Sequence, residues 1–157
     1  LTIIPLGSFI KTFLFCNLKI MQETIILYPA IMMMILTIFL YVKNYLDNFK
    51  AMKNKELSSA FFKAYQGEVP ENVEVSRQTL KNQFELPIFF YFLITLILIL
   101  KTPTALDLIF AWLFVISRYM HCHVRLTSNY VPFRAKIFTF GFFTLIIWWI
   151  VFLSTIL

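Results

Sequence analysis

Charge is scarce in this chain. Only 14% of its 157 residues are Asp, Glu, Lys or Arg, where a water-soluble domain carries about a quarter, and 60% are hydrophobic. That deficit excludes a soluble enzyme. It excludes disorder as well, because a chain so poor in charge and so rich in Phe, Leu and Ile cannot stay solvated. Acids are the scarcer sign, 8 against 14 bases, leaving a formal charge of +6. The bases lie between apolar blocks rather than on one soluble face, and no DNA- or RNA-binding motif is present. The excess therefore points to anionic lipid headgroups and not to nucleic acid. Cysteine is nearly absent: Cys16 and Cys122 match no zinc or redox spacing, and Cys122 reads as a small packing residue. No Ser-His-Asp arrangement, phosphate loop or pair of carboxylates can be assembled. His121 and His123, two apart, face different directions on a helix and cannot share a metal.

What the chain has instead is four long apolar blocks. Residues 24–42 form a charge-free run, and a spanning helix needs roughly 20 apolar residues. The second block, 86–100, reaches that length only if its helix begins upstream, among Gln78, Asn82 and Glu85. The third, 108–117, must run on through Arg118, His121 and Arg125, which places cations within a span. The fourth, 137–157, is clean and holds Trp148 and Trp149. These runs are too continuous for the alternating segments of a membrane barrel. The expected fold is all-α, an antiparallel four-helix bundle in a membrane domain over residues 21–157, with spans at about 24–48, 76–101, 104–128 and 133–157. Pro103 and Pro132 punctuate the last two connections. In the polar stretch between spans one and two, residues 44–65 continue the first helix and residues 66–74 (QGEVPENVE) form a loop.

Basic residues concentrate in the first connection (Lys43, Lys50, Lys53, Lys55, Lys63, Arg77) and the third (Arg125, Arg134, Lys136). The second holds only Lys101 beside Asp107. The first and third connections are therefore expected in the cytoplasm. Residues 1–20 fit neither a span nor a signal peptide, since Lys11 and Lys19 interrupt their apolar runs. They read as a leader or a mis-assigned start ahead of Met21, with an interfacial helix as the alternative.

Ionisable groups inside a membrane are functional candidates, because a central cation costs roughly 2.5–3.5 kcal/mol to insert. Gln78, Asn82 and Glu85 lie at i, i+4 and i+7, and Arg77, Lys81 and Glu85 at i, i+4 and i+8. Arg118, His121 and Arg125 lie at i, i+3 and i+7, so each set shares one helix side. The structural reading has Glu85 pairing with Arg118 and Asn82 bonding a neighbouring helix. The functional reading is an anion-binding pocket, because Arg77, Lys81, Arg118, Arg125, Arg134 and Lys136 face the single acid Glu85 at that level.

At these stripes the sequence resembles the MAPEG family, the membrane-associated proteins in eicosanoid and glutathione metabolism. The resemblance rests on Asn82-Gln83-Phe84-Glu85-Leu86-Pro87-Ile88-Phe89, on Ala111-Trp112-Leu113 leading to Arg118-Tyr119-Met120-His121, and on Arg134 after the short turn. It implies a homotrimer with glutathione as cofactor, held between subunits near the cytoplasmic face, and a glutathione-dependent transferase or peroxidase acting on lipophilic electrophiles. By that resemblance Arg134 is the catalytic residue that stabilises the glutathione thiolate, and Asn82, Glu85 and Arg118 match positions in the binding pocket; Arg77, Gln78, His121 and Arg125, on the same stripes, complete the candidate binding residues. Two positions depart from the family pattern: Gln78 stands where an arginine is common, and Arg125 where a tyrosine is. The block Asn82 to Tyr91 is most similar to bacterial members, which implies a bacterial inner membrane. The alternative is a non-catalytic membrane protein whose cations bind anionic lipid or a partner subunit.

Overall fold

The computed structural model describes residues 24–58, 61–64, 68–100 and 102–157; the expected leader at residues 1–20 lies outside them. Among the described residues there are helices and no strand: α1 (Leu27–Lys53), the single turn α2 (Phe61–Ala64), α3 (Glu71–Lys81), a 3-10 turn (Asn82–Phe84), α4 (Leu86–Leu100), α5 (Ala105–Leu126) and α6 (Val131–Ile156). Four stretches are long and apolar enough to cross a membrane: Leu27–Lys53, Glu71–Leu100, Ala105–Leu126 and Val131–Ile156. The four-helix reading holds. Connections of a few residues leave α4, α5 and α6 antiparallel in turn, and the longer stretch over residues 54–70 joins α1 to α3; contacts cross each pair of neighbours. Asn44 meets Ser76, Arg118 meets the Asn82 carbonyl, and Trp148 meets Asp107.

The core forms where each helix turns one apolar stripe inward. Met33, Leu36 and Leu40 on α1, Phe90, Leu93, Ile94 and Ile97 on α4, and Leu145, Trp148 and Phe152 on α6 recur at the three-to-four spacing of one helix face. At its centre Phe90 stacks on Phe114 at 5.1 Å between centroids and meets Trp148 edge-on at 6.0 Å. The outward face of every spanning helix is also apolar, with residues such as Ile38, Phe89, Ile109 and Phe143 exposed. Lipid tails are as apolar as these side chains, so burial alone does not drive the helices together. Close packing and polar contacts between helices carry that role.

Two such contacts join α5 to α6. At the start of α5, Thr104 and Asp107 form a reciprocal capping box, and Asp107 Oδ2 accepts from the Thr104 N–H at 2.8 Å. The other oxygen, Oδ1, accepts from Trp148 Nε1 at 2.8 Å, so a buried carboxylate caps one helix and ties it to the next. Further along, Gly141 lets α6 approach α5 closely. A Cβ there would lie 2.5 Å from Ser117 Oγ, a hydroxyl already donating to the Phe114 carbonyl at 2.6 Å.

Four expectations about the helices and their ends are corrected. First, span one does not run on through residue 65. It ends at Lys53 in a turn where Lys55 takes φ 60° and the N–H groups of Lys55 and Glu56 return to Met52 and Ala51. Ala51, Leu57, Phe61 and Val73 then pack a small second core beyond the membrane stripe. Second, the loop does not extend through residue 74. It gives way to α3 at Glu71, because Pro70 suits the position before a helix and Glu71 and Glu74 favour its positive end. Third, span two is not one unbroken helix. Pro87 has no N–H and its ring crowds the carbonyl four residues back, at Gln83. The chain accordingly tightens into a 3-10 turn over Asn82–Phe84 and leaves helical geometry at Glu85 (φ −98°, ψ −87°) before α4 begins. Pro132, expected as a break, lies instead in the first turn of α6, where a proline is tolerated.

Replacing Asp107 with Ala should leave the Trp148 N–H buried without an acceptor and lower stability by roughly 2 kcal/mol, read by unfolding in detergent. Gly141→Ala should cost about 1 kcal/mol, as the Ser117 hydroxyl is displaced from the Phe114 carbonyl. The same change in a Ser117→Ala background should be nearly neutral, which a double-mutant cycle would show.

Candidate functional site

The break at Pro87 and the end of α1 shape a cleft of about 1050 Å³ between α1 and α3. One wall is α1, presenting Tyr41, Asn44, Tyr45, Asn48 and Phe49. The other is α3 and its 3-10 extension, presenting Arg77, Gln78, Lys81, Asn82 and Glu85, while Arg125 enters from α5. Five of the eight residues expected at the site, Arg77, Gln78, Asn82, Glu85 and Arg125, thus line one cleft. The other three lie elsewhere.

Arg118 is packed beneath the cleft, only 1% exposed. Its Nη2 donates to the Asn82 main-chain carbonyl at 3.2 Å, and its guanidinium carbon lies 5.5 Å from the centre of the Phe138 ring. The expected Glu85–Arg118 ion pair is absent: among the described residues the ion pairs are Lys43–Asp47 and Arg77–Glu74. The helix break explains the difference. It takes Glu85 out of helical register, leaving its side chain exposed, and it is the Asn82 main chain that meets the guanidinium. A ring face then supplies the negative potential that a carboxylate would otherwise provide. His121 is also buried, with its ring 5.6 Å from that of Phe138. Arg134 sits in the first turn of α6, half-buried, and donates from Nη1 to Asn129 Oδ1 at 2.5 Å.

Within the cleft the hydrogen bonds form a chain. Arg77 donates to one oxygen of Glu74, and the Gln78 amide nitrogen donates to the other. The Gln78 amide oxygen in turn accepts from Arg125 Nη2. Arg77 also lies over the Phe61 ring, at 5.7 Å from its centre. On the opposite wall, Asn44 Oδ1 accepts from Ser76 Oγ at 3.3 Å and from Asn48 Nδ2 at 3.1 Å, which couples α1 to α3. Several polar atoms are nevertheless buried without a hydrogen-bond partner: Nε and Nη1 of Arg118, Nδ1 of His121 and Nε of Arg125. Among the described residues no group of three or more His, Cys, Asp or Glu is placed to hold a metal ion.

The sequence reading missed the α1 wall and Glu74. A signal for the first was present, since Tyr41, Asn44, Tyr45 and Asn48 recur at i, i+3, i+4 and i+7 and so share one face beyond the apolar run. It also missed Gln83, a buried amide whose Nε2 donates to Cys122 Sγ at 3.2 Å. That pairing joins two helices and leaves no local pattern.

Four helices long and apolar enough to cross a membrane define a multi-pass integral membrane protein. Comparison with known families narrows the class: residues 26–154 match the MAPEG family, and the chain belongs to it. No curated protein and no solved structure matches the chain.

If the Phe138 ring face stabilises the Arg118 guanidinium, the two side chains are energetically coupled. A cycle of Arg118→Met, Phe138→Leu and the double variant, followed by thermal unfolding, should give a coupling of about 1 kcal/mol; additive effects would remove the ring from the account.

Proposed function

We propose that this MAPEG protein is a glutathione-dependent transferase or peroxidase acting on lipophilic electrophiles. In this reading it works as a homotrimer in a bacterial inner membrane, with the first and third connections in the cytoplasm. The observation that carries the proposal is the mixed lining of the cleft. Cations (Arg125, Lys81) suit carboxylates, an exposed acid (Glu85) suits an ammonium group, and amides (Gln78, Asn82, Asn44) suit peptide bonds. Glutathione bears all three kinds of group, and a cleft of about 1050 Å³ is ample for it, small-molecule pockets being roughly 300–1,000 Å³.

When bound, glutathione supplies a thiol, which is a useful nucleophile only once ionised. In this reading the sulfur reaches past Arg125, whose charge interacts with that of Arg134, toward that second guanidinium outside the cleft lining. A fixed positive charge there favours the ionised sulfur over the thiol. Arg134 is accordingly the proposed catalytic residue, and Asn129 holds its guanidinium in place. Arg118 and His121 act from beneath, Arg118 by holding the Asn82 main chain where the cleft wall bends. The second substrate, being apolar, approaches through the bilayer.

The second reading, a non-catalytic protein that holds an anionic lipid, is favoured by the exposed rings of Tyr41, Tyr45 and Phe49 along one wall. Purified protein in neutral detergent separates the two. The enzyme reading predicts saturable glutathione binding with the ultraviolet absorbance of a thiolate, lost on Arg134→Ala. Absence of both signals, together with a co-purifying anionic lipid that is released by Arg118→Gln or Arg125→Gln, would replace it with the lipid reading.

A further inference from the structure

The cations of the cleft are not equivalent, and what separates them is the chain of hydrogen bonds through Glu74. Both Glu74 oxygens are engaged, one by the Arg77 guanidinium and one by the Gln78 amide nitrogen. The charge of Glu74 is thereby matched by Arg77 in an ion pair. Because its nitrogen is committed to Glu74, the Gln78 amide can turn only its oxygen toward α5, and Arg125 Nη2 donates to that oxygen. Arg125 is thus fixed by a neutral group. It is 8% exposed, it forms no ion pair among the described residues, and its Nε is buried without a partner. It nevertheless lines the cleft.

We infer that Gln78 is a positioning residue, which presents Arg125 to the cleft as an un-neutralised cation, and that Arg125 is the subsite for an oxyanion, a carboxylate or a phosphate. A planar guanidinium with one edge tied to an amide and a further N–H open is suited to bind such a group through charge-assisted hydrogen bonds. The residue type at position 78 follows from this. A glutamate of the same shape would pair with Arg125 and cancel its charge, and an arginine would repel it. Glutamine alone of the three fixes the guanidinium and leaves its charge available. The inference goes beyond the transferase reading, because it holds whether the oxyanion is the carboxylate of glutathione or the phosphate of a lipid headgroup.

The test measures two probes, glutathione and dihexanoyl phosphatidate, by calorimetric titration of the intact protein in neutral detergent. At least one should bind the native protein with an affinity that falls as salt rises. Arg125→Gln and Gln78→Glu should each weaken that binding about tenfold or more. Arg125→Lys should retain part of it, and Lys53→Gln, an exposed cation outside the cleft, should leave it unchanged. The decisive variant is the exchange of Glu74→Gln together with Gln78→Glu, which keeps the hydrogen-bond chain and the net charge while moving the acid from Arg77 to Arg125. It should hold the unfolding temperature while binding is lost, a combination that no purely structural role of Gln78 produces. Phosphatidate binding with this pattern and no glutathione binding would sustain the inference and end the transferase reading. Glutathione binding unaffected by either substitution would do the reverse. Failure of both probes to bind the native protein would overturn the inference.

Discussion

A guanidinium buried among membrane helices must find its partners inside the protein, and the arrangement around Arg118 follows from that requirement. No carboxylate lies within ion-pairing reach of it among the described residues. Its partners are a main-chain carbonyl at the broken end of α3 and the face of the Phe138 ring on α6. The first partner depends on Pro87, which interrupts the second span at the level of Asn82 to Glu85. The second depends on the close approach of α5 and α6, which Gly141 permits and the Asp107–Trp148 bond secures toward the far end. One buried cation thus links the proline, the glycine and the capping box into a single account of helix placement.

The same break opens the cleft. A straight helix from Glu71 to Leu100 would keep Arg77, Lys81 and Glu85 on one continuous stripe. With the break, Glu85 leaves that stripe, and the α3 wall and Arg125 face the polar stripe of α1. The outcome is a pocket containing both signs of charge, in which the acid–base pair formed among the described residues, Glu74 with Arg77, leaves Arg125 outside it. In lipid-adjacent surroundings an unpaired cation is costly. Its persistence is the physical reason to assign it a ligand.

Much of this was legible in the residues. Four apolar blocks and the scarcity of charge were enough for the membrane bundle, because bilayer thickness and backbone hydrogen bonding leave few alternatives. The stripe 78–82–85 and the stripe 118–121–125 were visible from helical periodicity, and so was the resemblance around Asn82 and Glu85. What periodicity could not show was the interruption of the period itself: Pro87 is plain in the sequence, yet how the chain bends around it depends on what the freed backbone meets. That is why the Glu85–Arg118 pairing failed. The α1 wall was overlooked for another reason. Its polar residues lie just past a charge-free run, where they look like the frayed end of a span rather than one side of a site. Glu74, the hub of the cleft's hydrogen bonds, sat in a segment read as loop, so its spacing to Gln78 carried no meaning until α3 was seen to be helical.

The central claim is that Arg125, held by the neutral amide of Gln78, keeps its charge for a ligand rather than for the protein. A structure of the protein in lipid, determined in the presence of glutathione, tests this most directly. The account predicts density for an oxyanion in the cleft between α1 and α3, in contact with the Arg125 guanidinium, with Gln78 still accepting from it. A carboxylate of the protein itself paired with Arg125, such as Glu85, would contradict it.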